Sequence, residues 1–144
     1  MIAIDSNVLL RYLLNDDKTQ SKKTRELIQG GDTVLVTDVV LVETIWTLKG
    51  KQYKADKEAI IAILNGLFEE PYIVFENPNV VWAALNDYRK AKPVKVGGKN
   101  KVADFPDALI VNKARYIANS QSKPFENVYT FDQAALAIEG TARL

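Results

Sequence analysis

The chain has 144 residues, 47% hydrophobic and 26% charged, with a net charge of +1. That fits one globular domain, residues 1–144, large enough to bury its own core. With no Cys and no His, disulfides, thiolate nucleophiles, Ser-His-Asp triads, paired-His ribonuclease chemistry and Cys- or His-held zinc are excluded.

Ile2-Ala3-Ile4 predicts a short buried strand, and Val8 to Leu14 a helix capped by Ser6 or Asn7. Asn15-Asp16-Asp17 predicts a turn, and a charged helix then ends at Leu27 and Ile28 before Gly30-Gly31. Thr33 to Val36 predicts a second strand. Asp38 is expected to cap a helix that runs through Leu48 to Gly50. Ile60, Ile61, Leu64, Leu67 and Phe68 fall at helical spacing within a helix from about Asp56 to Phe68. Tyr72 to Phe75 predicts a third strand. Asn77-Pro78 opens a helix whose apolar positions are Val80, Val81, Ala84, Leu85 and Tyr88. Val94 to Val102 predicts a Gly- and Lys-rich loop. A helix starting near Asp104 carries Ile110, Val111, Ala114, Ile117 and Ala118, and Val128 to Phe131 predicts a fourth strand with a short helix after Asp132.

Strands alternating with helices predict an α/β fold: a central, mostly parallel sheet of about four or five short strands flanked by helices in three layers. The start lacks a basic n-region and Asp5 interrupts its apolar stretch, so no signal peptide is expected. No run reaches the ~18 apolar residues of a membrane span. A cytoplasmic, membrane-free location is expected.

Most of the 18 acidic residues read as solvated charge, but a few sit where structure or chemistry must account for them. Asp5 follows the first strand and precedes a helix. Ligands of parallel α/β sheets bind beyond the carboxyl ends of strands, although a helix cap would also explain it. Glu43 lies within Val39-Val40-Leu41-Val42-Glu43-Thr44-Ile45-Trp46. Surrounded by apolar residues, it is expected to be buried and to need a cation, an ion-pair partner or a proton. Asp107 begins a stripe that continues to Ile110, Val111, Ala114 and Ile117. It is read either as part of a site or as a favourable charge at a helix start. Asp132 repeats the strand–acid–helix arrangement of Asp5, and Asp104 suits a cap ahead of Pro106. Like charges gathered at one sheet edge would need a cation, and an oxygen-only donor set selects Mg²⁺ or Mn²⁺.

Four segments carry a resemblance. Ile2-Ala3-Ile4-Asp5-Ser6-Asn7-Val8-Leu9, Val36-Thr37-Asp38-Val39-Val40-Leu41-Val42-Glu43, Ala103-Asp104-Phe105-Pro106-Asp107-Ala108-Leu109-Ile110 and Val128-Tyr129-Thr130-Phe131-Asp132 are similar, in that order, to the PIN-domain family. Within it they resemble the VapC-like toxins of toxin–antitoxin pairs. Ser6 stands where the family usually has Thr. The resemblance implies a metal-dependent endoribonuclease that leaves a 5′-phosphate and a 3′-hydroxyl. It implies Asp5, Glu43 and Asp107 as metal-binding acids, Asp132 as a fourth, and Asn7 and Thr130 as polar supports. Asp104 competes with Asp107 for the third acid, one helical turn away.

The resemblance further implies a homodimer inhibited by a small antitoxin, for which Leu10, Tyr12 and Leu13 could line a groove or simply belong to the core. Residues 89–101 carry Arg89, Lys90, Lys92, Lys95, Lys99 and Lys101 with no acid between them. Lys95, Lys99 and Lys101 are therefore candidate RNA contacts, and Lys49, Lys51, Tyr53 and Lys54 form a weaker second patch. Two competing readings are a non-catalytic PIN-fold RNA-binding module and a HAD-like Mg²⁺ phosphohydrolase. The second wants another Asp where this chain has Asn7.

Overall fold

Three short strands, the first two each followed by a pair of helices, organise residues 1–76. In the computed structural model, which describes residues 1–144, they are β1 (Ile2–Ala3), β2 (Val34–Val36) and β3 (Ile73–Phe75). They pair in parallel in the order β1-β2-β3, with Ile2 opposite Val34 and Val34 opposite Ile73. Val34 and Val36 are fully buried, as expected of a parallel sheet covered by helices. The helices are α1 (Ser6–Leu14), α2 (Lys18–Ile28), α3 (Asp38–Lys49) and α4 (Lys57–Glu69). On α4 the buried residues are Ile60, Leu64 and Leu67, one stripe at helical spacing. Phe68 packs against Phe75 of β3, with the ring centroids 4.8 Å apart and the rings tilted by 55°. Together Met1–Glu76 form one compact unit.

Two caps differ from expectation by one position. Asp5, not Ser6 or Asn7, caps α1, and Thr37, not Asp38, caps α3. The extended backbone of Asp5 and Thr37 lets each side chain reach forward to an N–H three residues on, at 2.9 Å from Asp5 to Val8 and 3.4 Å from Thr37 to Val40. The turn at 15–17 is as expected. Asn15 is left-handed, Asp16 pairs with Arg11 at 2.8 Å, and Asp17 caps α2.

Leu10, Tyr12 and Leu13 are all half-buried. Burial, helped by a hydrogen bond from its hydroxyl to the Glu70 carboxylate, pushes the Tyr12 phenol up to about 12. A pKa raised by folding gives stability that is complete below the unfolded value near 10 and lost as pH rises towards 12. Urea unfolding of the wild type should therefore become easier between about pH 10 and 12, and Tyr12→Phe should show less of that decline. An equal decline in both proteins would refute the assignment.

Residues Asn77–Leu144 form a second compact unit. Its helices are α5 (Pro78–Lys90) and α6 (Phe105–Ser120). The sequence-predicted stripe of α5 is fully realised, with Val80, Val81, Ala84, Leu85 and Tyr88 buried. Tyr88 meets Phe105 edge-on at 6.1 Å. Two polar links fasten α6 to α5: Asn112 Nδ2 donates to Asp87 at 2.8 Å, and Lys113 Nζ to Asn77 at 2.6 Å. The stripe expected on α6 is divided. Val111 is buried, but Ile110 and Ile117 are exposed, because the face packed inward uses Ala108, Leu109 and the polar Asn112 instead.

Residues 94–102 are not a loop. β4 (Val94–Val96) and β5 (Lys99–Lys101) form an antiparallel hairpin. Gly97 and Gly98 take φ of 58° and 79°, as a two-residue turn matched to strand twist requires. The fourth expected strand, β6 (Val128–Thr130), does not join the three-stranded sheet. It pairs in parallel with β7 (Thr141–Arg143), a strand the sequence did not suggest. A 3₁₀ turn at Ala135–Ala137 leads back to β7. Gly140 sits at φ 96°, and a Cβ there would lie 2.8 Å from Val111 Cγ1, so only glycine fits. The fold is α/β, with six α-helices, a three-stranded parallel sheet and further short strands. No helix is long and apolar enough to cross a membrane.

Candidate active site

In residues 1–76 the parallel strands share a carboxyl edge, and an acid follows each of them. Asp5 comes two residues after β1, Asp38 two after β2, and Glu76 directly after β3. Asp5 is exposed, and its Oδ1 accepts the Val8 N–H. That cap uses one acceptor site of a carboxylate that has several. Asn7 is exposed in the first turn of α1. The Glu76 carboxylate accepts the Asp38 N–H at 2.5 Å and so braces the start of α3. The sequence marks Asp38 only as a cap and gives Glu76 no role. The signal was present, since Val36-Thr37-Asp38 and Phe75-Glu76 repeat the strand-then-acid pattern of Asp5.

Glu43 departs from expectation. It is exposed rather than buried. α3 is apolar on nearly every side, so its sequence does not say which side turns inward. Leu41, Thr44, Ile45 and Leu48 do so, and Glu43 lies away from them. It shares the outer side with Val39 and Trp46, which are 67% and 58% exposed. An exposed carboxylate stays charged without a buried partner, so burial no longer argues for a ligand at Glu43.

In residues 77–144 the acids of α6 are organised by a capping box. Asp104 caps the helix, with Oδ1 accepting the Phe105 N–H, and Asp107 Oδ2 reaches back to the Asp104 N–H at 2.8 Å. Both carboxylates are half-buried. Asp107 also lines a pocket of about 300 Å³ with Ile110, Val128, Thr130 and Thr141. The structure thus brings Asp107 and Thr130 together at one pocket, and both Asp104 and Asp107 take part in the cap. Thr130 Oγ1 in turn accepts the Asp132 N–H at 2.9 Å. Asp132 is exposed, and its Oδ1 accepts the Ala134 N–H, closing a tight turn after β6.

Lys95, Lys99 and Lys101 are all exposed on the hairpin. Strand alternation separates them. Lys99 and Lys101 stand opposite Val96 and Val94 on one face, and Lys95 stands opposite Asn100 on the other. A single phosphate chain could meet only one of these faces at a time.

The donors are carboxylates alone, which suits a hard cation such as Mg²⁺ or Mn²⁺. No three acidic side chains stand together so as to hold a metal ion.

The PIN-domain family model matches residues 2–138. The chain belongs to the PIN-domain family. That stretch includes Asp5, Glu43, Asp104, Asp107 and Asp132. No curated protein matches the sequence closely enough to act as a relative. PIN domains are generally metal-dependent nucleases and typically use Mg²⁺ or Mn²⁺. The match does not favour the phosphohydrolase alternative.

Proposed function

We propose that residues 1–144 act as one PIN domain, a Mg²⁺-dependent endoribonuclease of the VapC type, serving as the toxin of a toxin–antitoxin pair. The observation that carries this reading is the family match across residues 2–138, which spans every acid the motifs single out. The absence of His and Cys supports it, because a metal ion bound by this chain would then be held by oxygen ligands.

Asp5, Glu43 and Asp107 would hold the metal, with Asp132 as a fourth acid. A bound Mg²⁺ would supply activation of a water and stabilisation of charge on the phosphoryl oxygens. The protein's own part is orientation. The Val8 N–H fixes the Asp5 carboxylate, and the Asp104 N–H fixes that of Asp107. Thr130 fixes the turn that carries Asp132. Such hydrogen bonds lock acid rotamers before a ligand arrives. Lys99 and Lys101 on one hairpin face, or Lys95 on the other, would hold the RNA backbone. A homodimer, and an antitoxin seated over Leu10, Tyr12 and Leu13, complete the proposal.

The test is cleavage of an end-labelled structured RNA pool. Cleavage is expected with Mg²⁺, is expected to stop with EDTA, and should return when Mg²⁺ or Mn²⁺ is added in excess. Products should carry 5′-phosphates. Cleavage that survives EDTA would refute the metal-dependent reading. RNA binding without turnover would favour a non-catalytic PIN module.

A further inference from the structure

α2 carries charge in an arrangement that the proposed chemistry does not use. Lys18, Lys22 and Arg25 recur at helical spacing along one side of it, and all three are exposed. With Asn15, Glu26 and Gln29 they line a concave pocket of about 390 Å³. Three cations face one carboxylate there, and that one, Glu26, lies 3.9 Å from Lys22 in a fully solvated pair that contributes little. The nearest other acids are engaged. Asp16 is held by Arg11, whose hydrogen bond keeps its carboxyl below the usual range, and Asp17 caps α2.

Like charges at i, i+4 repel and weaken a helix. Lys18 and Lys22 are such a pair, and Arg25 extends the row. Arg25 is also pre-set, since its guanidinium donates to Asn15 Oδ1 at 3.0 Å. The row spans about 10 Å along the helix, at about 1.5 Å per residue. A regularly charged polyanion lying along it would remove the self-repulsion. No aromatic or aliphatic residue lines the pocket, and its three cationic head groups suit phosphates.

We infer that the α2 pocket is a phosphate-backbone site for single-stranded RNA, formed by Lys18, Lys22 and Arg25 and indifferent to base sequence. The inference deepens the nuclease reading and rests on it, since that reading makes RNA the ligand. Contacts to phosphates position a strand, whereas contacts to bases specify it. The site would hold RNA while other residues select and cut it.

The experiment is equilibrium binding of a fluorescein-labelled 20-nucleotide single-stranded RNA in EDTA, from 50 to 200 mM KCl. The double variant Lys18→Gln/Lys22→Gln is compared with wild type. Each lost phosphate contact should reduce the slope of log K against log[salt] by about 0.7, so the double variant should lose about 1.4 and bind roughly 25-fold more weakly at 0.1 M salt. The weakening should be the same for RNAs of different sequence. Lys18→Arg/Lys22→Arg should keep the wild-type slope, which separates charge from any structural effect. Circular dichroism confirms the fold of each variant. An unchanged slope in the Gln variant overturns the site. So does a loss confined to a poly-glutamate competitor, which would make the ligand an acidic protein segment. Cleavage by wild type in Mg²⁺ is scored separately. Cleavage with an unchanged slope removes the α2 site alone, whereas a reduced slope without cleavage keeps the site and removes the nuclease reading.

Discussion

Asp5→Asn should abolish Mg²⁺-dependent RNA cleavage while leaving the protein as stable as wild type. The second half follows from the observed role of Asp5 as a helix cap, the first from the metal-ligand role proposed for it. As a cap, Asp5 accepts the Val8 N–H through Oδ1 at 2.9 Å. Asn and Asp are about equal at this position, so the amide oxygen should take over the bond. As a metal ligand, Asn offers a neutral oxygen in place of an anionic one. A ligand worth on the order of 4 kcal/mol in the transition state corresponds to a rate loss of about a thousandfold. Asp5→Ala is the control, since it removes both roles and should also cost about 1 kcal/mol of stability. The measurements are single-turnover cleavage rates and thermal unfolding of the three proteins. An Asp5→Asn protein that cleaves at the wild-type rate would reduce Asp5 to a helix cap.

Phe105→Ala should produce the opposite signature, a large loss of stability. Phe105 is the first residue of α6, is fully buried, and meets Tyr88 of α5 edge-on. Deleting a buried aromatic ring typically costs about 3–5 kcal/mol through lost transfer energy and the cavity left behind. That is a large share of the roughly 5–15 kcal/mol by which a domain is stable. The same residue sits between Asp104 and Asp107, so the turn holding the capping box should loosen with it. Urea unfolding should show a much lower midpoint, and Phe105→Leu should recover most of the loss. A midpoint unchanged in Phe105→Ala would mean that this contact does not hold α6 in place.

What the sequence determined by itself was whatever local signals control. Caps, prolines and glycines act over three or four residues, so the sequence places the helices to within a residue or two and marks Asp104 as a cap. The stripes of α4 and α5 were legible because each helix has one apolar side and one polar side. The order of acid-bearing motifs was enough to point to the PIN-domain family, which the match over residues 2–138 establishes.

Tertiary structure decided the rest. α3 is apolar all round, so only its packing partners could choose Leu41, Ile45 and Leu48 for the interior and leave Glu43 outside. On α6 the buried Asn112 breaks the apolar pattern, and it is inside because Asp87, 25 residues earlier, is there to accept its hydrogen bond. β7 has no strand signal of its own and exists through pairing with β6. The acids after β2 and β3 reach the same edge as Asp5 only because the three strands run parallel. In each case the deciding neighbour is far along the chain, where propensity and spacing carry no information and packing and hydrogen-bond satisfaction do.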